Sequence, residues 1–145
     1  MKITILTPGP GEEDEVIIRC ASLDEDLLRL LQRLKSGGHR ITGYSESGIT
    51  PLSLRDIYYF ESVDDKVFAY CQKQVYEVRK RLYELETELS DTDFLRISKS
   101  VIVDLSKISH LAPIFNGRLE ANLKNGEKLI ISRQYVAPLR RRLGI

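Results

Sequence analysis

The sequence predicts a mostly β protein of the α+β class with two to three short helices, and three observations lead there. From Ile41 onward, apolar residues recur in short runs at the period of two that half-buried strands require. Asn116-Gly117 and Asn125-Gly126 stand between such runs and supply the positive φ values of tight hairpin turns. Only three stretches, near residues 22–35, 78–89 and 133–143, carry helical signals.

Along the chain, residues 2–7 and 15–20 read as strands of a paired ribbon, turned by Pro8-Gly9-Pro10-Gly11 and the acidic Glu12-Glu13-Asp14. Ser22 and Glu25 form a capping box that starts a helix. Its leucines, Leu23, Leu27, Leu30, Leu31 and Leu34, make one apolar stripe, which Ser36-Gly37-Gly38 ends. This strand-strand-helix leader, residues 1–45, is too short to fold alone, so it packs on or extends a domain spanning 46–145.

In that domain, strands are predicted over 41–44, 49–54, 57–63 and 67–72, the last returning through 75–78. A helix follows with Val78, Leu82, Leu85 and Leu89 on one face and mostly charged residues on the others. Strands over 94–98, 101–104, 108–115, 118–124 and 127–132 come next. The last three are joined by the two Asn-Gly pairs, which predicts a meander with type I′ turns. Ser132 is placed to cap a final helix over 133–143, and Pro138 predicts that this helix breaks or starts late.

Composition narrows the function. The chain has 145 residues, 42% apolar and 30% charged, which suits one compact domain with a short appendage. No apolar run reaches the roughly 18 residues of a membrane span, and Met1-Lys2-Ile3-Thr4 lacks a signal-peptide pattern, so a cytoplasmic location is expected. Cys20 and Cys71 are then expected as reduced, buried thiols. The net charge of +1 hides an asymmetry, with residues 1–93 at −6 and residues 94–145 at +7. A basic half suggests a surface that meets an anion such as nucleic acid, while the acidic remainder limits nonspecific adhesion.

Enzymatic chemistry lacks its residues. His39 and His110 are the only histidines and neither sits in a nucleophile motif. Cys20, His39, Cys71 and His110 have no paired metal-ligand spacing, and Gly9 and Gly11 lack the lysine of a phosphate loop. Asp64-Asp65 reads as a solvated turn. No catalytic residue, metal or cofactor is therefore expected, and the chemistry lies in Lys and Arg.

Three ordered segments carry a resemblance. They are Asp56-Ile57-Tyr58-Tyr59-Phe60-Glu61-Ser62, then Phe94-Leu95-Arg96-Ile97-Ser98-Lys99-Ser100-Val101-Ile102-Val103-Asp104, then Asn125-Gly126-Glu127-Lys128-Leu129-Ile130-Ile131-Ser132-Arg133-Gln134-Tyr135, with a helical stretch between the first two. Together they make residues 52–143 resemble the LytTR family of DNA-binding domains. The resemblance implies an antiparallel β domain that presents loops, rather than a recognition helix, to the major groove. It leaves residues 1–45 uncovered. A receiver domain, common in this family, needs about 120 residues, for which this chain has no room. The short leader resembles that of stand-alone members.

Carried over by position, the resemblance implies that Lys66, Lys99 and Arg133 read bases. Arg can bond guanine O6 and N7 together, and Lys reaches guanine or a phosphate. Arg96, Ser98, Ser100, Arg140 and Arg141 are secondary or backbone candidates. The implied partners are double-stranded DNA, a second copy in a homodimer on repeated half-sites, and a regulatory membrane protein. Two residues depart from the family pattern. Asp104 stands where Asn is common, and is expected to accept backbone bonds; Ser98 stands where many members have His. Ile57, Phe60, Phe94, Ile97, Val101, Val103 and Leu129 are expected in the core. A protein-interaction module on the same scaffold is the alternative, and the basic residues gathered in one half argue against it.

Overall fold

The computed structural model describes residues 2–35 and 40–145. After helix α1 (Glu25–Lys35) the chain runs through β1 (Arg40–Ser45), β2 (Gly48–Ser53), β3 (Ile57–Val63), β4 (Lys66–Cys71) and β5 (Val75–Val78). Helix α2 (Leu82–Glu88) leads to β6 (Phe94–Arg96) and β7 (Val101–Asp104). Strands β8 (Ile108–Pro113), β9 (Leu119–Leu123) and β10 (Lys128–Ile131) follow, and α3 (Arg133–Leu143) ends the fold.

The strands form two antiparallel sheets. One has seven strands in the order β2-β1-β5-β4-β3-β7-β6, and the other is the three-stranded meander β10-β9-β8. Period-two alternation divides the larger sheet's side chains between two cores. Phe60 and Ile102 face one side, where they meet Leu82 and Leu85 of α2 and Leu89 just after it. Tyr59, Val101 and Val103 face the other, against Leu119, Ala121 and Ile131 of the small sheet and Leu139 of α3. The large sheet is thus a middle layer. Each fully buried Phe or Leu contributes about 1.5–3 kcal/mol by leaving water, so these two clusters hold the layers together. Of the expected core residues, six are buried and Leu129 is half-buried.

Several expectations are corrected. Residues 2–7 and 15–20 form no strand ladder; the turn between them does form, with Glu12 N–H donating to the Gly9 carbonyl at 3.1 Å. Cys20 is exposed rather than buried, because its arm joins neither core, and Cys71 is half-buried, with both thiols free. Asp24, not Ser22, caps α1: its Oδ1 accepts from Leu27 N–H at 2.8 Å, and a carboxylate at that point also favours the positive helix end. The expected stop at Ser36-Gly37-Gly38, and His39, lie outside the described residues.

Val78 belongs to β5 and pairs with Val67, so α2 begins only at Leu82. Its start is fixed by Glu84, whose Oε1 accepts from Arg81 N–H at 3.4 Å. At Asn125-Gly126 only Gly126 has positive φ, at 92°, and its N–H donates to the Leu123 carbonyl. That is a turn over Lys124-Asn125 followed by a left-handed glycine, rather than a type I′ turn.

Helix α3 is continuous despite Pro138. A mid-helix proline costs about 3 kcal/mol, which two features offset. Leu139, the next residue, is fully buried, and Gly144 closes the helix at φ 73° with its N–H toward the Arg140 and Arg141 carbonyls. Ser132 makes no side-chain cap here; its N–H donates instead to the Ile97 carbonyl at 2.9 Å.

Candidate nucleic-acid interface

Strand register decides which connections meet. Val63 pairs with Lys66, and Glu61 pairs with Val101, so the β3–β4 turn and the β6–β7 loop leave the large sheet at the same end. Ser62 N–H donates to the Ser100 carbonyl at 2.8 Å and ties the two together. The Ser132 to Ile97 bond brings the β10–α3 junction to that end as well. Lys66, Lys99 and Arg133, which lie far apart in sequence, therefore share one rim. All three are exposed, and among the described residues none has an ion-pair partner.

The β3–β4 turn has two residues, Asp64 and Asp65, at φ 51° and 64°. Both are left-handed, as a type I′ turn requires, and Asp tolerates that region better than most residues. Both aspartates are exposed in this turn, which aims Lys66 from the first position of β4.

The β6–β7 loop is shaped by the remaining polar residues of its motif. Arg96 turns back over it, with Nε donating to the Ser98 carbonyl at 2.8 Å and a terminal nitrogen donating to the Lys99 carbonyl. Glu86 on α2 holds the same guanidinium from behind at 3.7 Å. Ser98 Oγ accepts from Ser100 N–H at 3.2 Å. Arg96, Ser98 and Ser100 are thereby occupied in fixing the loop, and Lys99 is left pointing to solvent. Asp104, at the opposite end of β7, accepts from Ser106 N–H at 2.9 Å and Ser106 O–H at 2.7 Å, with Lys107 at 3.7 Å. Its carboxylate is satisfied away from the rim, as the reading of it as a backbone acceptor requires.

Arg133 opens α3 beside the β8–β9 loop. Asn116 and Gly117 there have φ 64° and 71°, and Ile114 N–H donates to the Arg118 carbonyl to close the loop. Phe115 is 85% exposed, and Arg118 Nε donates to its carbonyl at 3.1 Å. This loop is a fourth rim element that the sequence reading did not single out, although its Asn-Gly turn was visible. Arg79 was missed too: it follows β5 at the rim and lies 3.9 Å over the Tyr44 ring. Stacking occupies its charge.

Arg140 and Arg141 stand elsewhere. Helix α3 carries the chain away from the rim, and the guanidinium of Arg142 reaches the Thr92 carbonyl, next to the start of β6 at the opposite end. At 1.5 Å per residue, Arg140 and Arg141 lie about 10 Å along the axis from Arg133. The basic half of the sequence is therefore not one patch.

Among the described residues no group of His, Cys, Asp and Glu is placed to hold a metal ion, and no helix is long and apolar enough to cross a membrane. The arrangement offers hydrogen-bond donors and positive charge on a rigid edge. That suits an anionic polymer better than a reacting substrate.

Comparison with known proteins agrees. A LytTr DNA-binding domain of a methyl-accepting/DNA response regulator from Bacillus cereus shares the fold, with a TM-score of 0.70 and 24% identity, over 73% of this chain and 97% of its own. Proteins described as HTH-type transcriptional regulators from Staphylococcus aureus are similar along the whole length. That of strain NCTC 8325 is 27% identical over 147 residues, and that of strain MRSA252 is 26% identical; each alignment covers 100% of this chain and 99% of the relative. In this chain the described helices are separated by strands, so no two of them form a helix-turn-helix. The model of the LytTr DNA-binding domain matches residues 47–144, and with the fold and rim just described it places this chain in the LytTr DNA-binding domain family.

Proposed function

We propose that this DNA-binding protein is a cytoplasmic transcriptional regulator that reads duplex DNA through loops set in the major groove. Lys66, Lys99 and Arg133 are the base-reading residues. Arg96, Ser98 and Ser100 shape the loop that carries Lys99, and Arg140 and Arg141 follow the DNA backbone only at a distance. The observation that carries the proposal is the convergence of three exposed, unpaired cations from three separate connections onto one hydrogen-bonded rim. Rim connections held by a sheet lose little backbone freedom on binding, which favours base contacts over loose phosphate contacts.

The protein acts as a homodimer on repeated half-sites, and a regulatory membrane protein is a further partner on the family resemblance. The test begins with selection of bound fragments from the source genome. Each variant is then titrated against the preferred site and a scrambled duplex at two salt concentrations. Arg133→Ala should cost about 1–3 kcal/mol on the preferred site and flatten discrimination at one base pair. Equal loss on both duplexes would show that Arg133 is no base reader, and a salt slope near zero would remove the nucleic-acid reading.

A further inference from the structure

The leader is the part of the chain that DNA reading does not use. Residues 2–35 carry two extended arms and α1, and among the described side chains of this segment none belongs to either core. Ile3, Ile5, Leu6, Val16 and Ile17 are each more than two-thirds exposed. Leu23 just before α1 and Leu30 and Leu34 on it are exposed, and Leu27 and Leu31 are only half-covered, so the leucine stripe is open to solvent. A segment of this size cannot bury an apolar face by itself; below about 40 residues a disulfide, a metal or oligomerisation is usually needed. Scattered exposed leucines need no explanation, but a continuous stripe beside two apolar arms does.

We infer that this surface is a self-association face whose occupant is the leader of a second copy of the chain, packed about a twofold axis. The inference rests on the reading of the protein as a pair on repeated half-sites and supplies the missing contact. Three observations favour a second copy. In sequence, α1 opens on Asp24, Glu25 and Asp26 and closes on Arg33 and Lys35. Two such helices set antiparallel bring each acidic start beside the other's basic end, so charge and helix dipole both complement a copy in that orientation. The described leader, residues 2–35, is also long enough to supply the roughly 20–30 residues that each side of a stable interface typically contributes. Finally, the arms flank a formed turn yet lack a ladder, so their backbone groups are free to pair with a second ribbon. An anionic membrane is a poorer occupant, because Glu12, Glu13, Asp14 and Glu15 crowd the turn and α1 has no strongly basic face.

The experiment is sedimentation velocity on the full chain across the micromolar range, without DNA. The unaltered protein should sediment at twice its 16.6 kDa chain mass, and Leu30→Glu combined with Leu34→Glu should shift it to the monomer. Both leucines are exposed in the single chain, so the domain core is untouched and circular dichroism should report the same strand content. The variant should bind one half-site within about twofold of the unaltered protein and lose its advantage on paired half-sites, since only linkage of two modules is removed. Asp24→Lys with Glu25→Lys should also weaken the pair. A monomer throughout, or an undiminished dimer in the leucine variant, overturns the inference. So does a monomer that pellets with phosphatidylglycerol vesicles through the same leucines. Failure to bind any duplex would instead remove the DNA reading and leave a measured dimer standing.

Discussion

Gly117 lies against the side chain of Arg133: a Cβ at Gly117 would meet Arg133 Cδ at 3.3 Å and Cγ at 3.4 Å. The glycine has φ 71°, so the hairpin turn needs its freedom and the arginine stem needs its missing side chain. One residue thus sets both the loop and the wall along which Arg133 leaves the rim.

Gly117→Ala should therefore destabilise the fold by about 1 kcal/mol through the left-handed φ alone, measured by urea unfolding. It should also lower discrimination between preferred and scrambled duplexes by displacing the Arg133 side chain. In an Arg133→Ala background that second effect should vanish, because no side chain remains to displace. An unchanged discrimination ratio in the single variant would show that Arg133 is aimed by other contacts.

Salt dependence should separate the rim from the tail. Each neutralised phosphate contributes a slope of about 0.9 in log K against log[salt]. Replacing Lys66, Lys99 or Arg133 by Gln should each remove close to one such unit. Replacing Arg140 and Arg141 together should remove less than one, since they lie about 10 Å along α3 from the rim and the screening length is about 8 Å at physiological salt. A larger loss from the tail pair than from the rim residues would mean that DNA runs along α3.

Asp64 and Asp65 put two carboxylates at the rim beside Lys66. Replacing both by Asn keeps a residue that tolerates the left-handed region and removes the charge. Affinity for the scrambled duplex should rise, by up to about 0.5 kcal/mol per charge for a phosphate on the order of 8 Å away in water. Specific affinity should rise less, so selectivity falls. Fluorescence anisotropy on the two duplexes measures both. Unchanged nonspecific affinity would place this turn away from the phosphates.

The two sheets are joined by a phenol. Tyr59, 6% exposed and stacked on Tyr70 at 4.4 Å, donates to Glu127 Oε2 at 2.6 Å across the layers. Burial pushes the Tyr59 hydroxyl well above the ordinary tyrosine range, and the hydrogen bond and charge of Glu127 add to the rise. Burial and Glu61 raise Tyr70 as well. Below the ordinary value of 10.0 both states hold the proton and the full contribution is present. Above it the unfolded chain ionises first, so stability falls as pH climbs. Tyr59→Phe should cost about 1 kcal/mol or more near neutral pH, because a hydrogen bond to a charged acceptor is lost. It should also make the alkaline fall shallower by up to one proton, with Tyr70 still titrating. Equal alkaline slopes in denaturant titrations of the two proteins would contradict this.

Local patterns in the sequence announced what depends on neighbours along the chain. Short apolar runs at Tyr59-Phe60 and Val101-Ile102-Val103 marked strands, and Asn116-Gly117 marked the turn between β8 and β9. What sequence could not supply was the division of strands between two sheets, since Tyr59 and Glu127 meet at a separation of 68 positions. Pro138 misled for the same reason: its local cost is plain in sequence, whereas the burial of Leu139 that offsets it is tertiary. The ribbon expected over residues 2–20 had the right residues, but its arms find no ladder partner in the single chain. At the rim, the motifs carried Lys66, Lys99 and Arg133 through the family resemblance. They did not separate Arg96, which grips its own loop, from the cations that face outward, because guanidinium geometry leaves no trace in spacing. Nor did net charge reveal that Arg140 and Arg141 lie at the other end of a helix.

The bonds from Ser62 to Ser100 and from Ser132 to Ile97 use backbone atoms alone. The frame that gathers the three connections is therefore indifferent to which side chains stand at positions 66, 99 and 133. If those three side chains read bases as proposed, a duplicated copy of such a protein can exchange them one at a time and acquire a new operator while its fold and its aim are inherited unchanged. Divergence of regulatory targets within this scaffold then requires few substitutions, each outside the core and each testable alone.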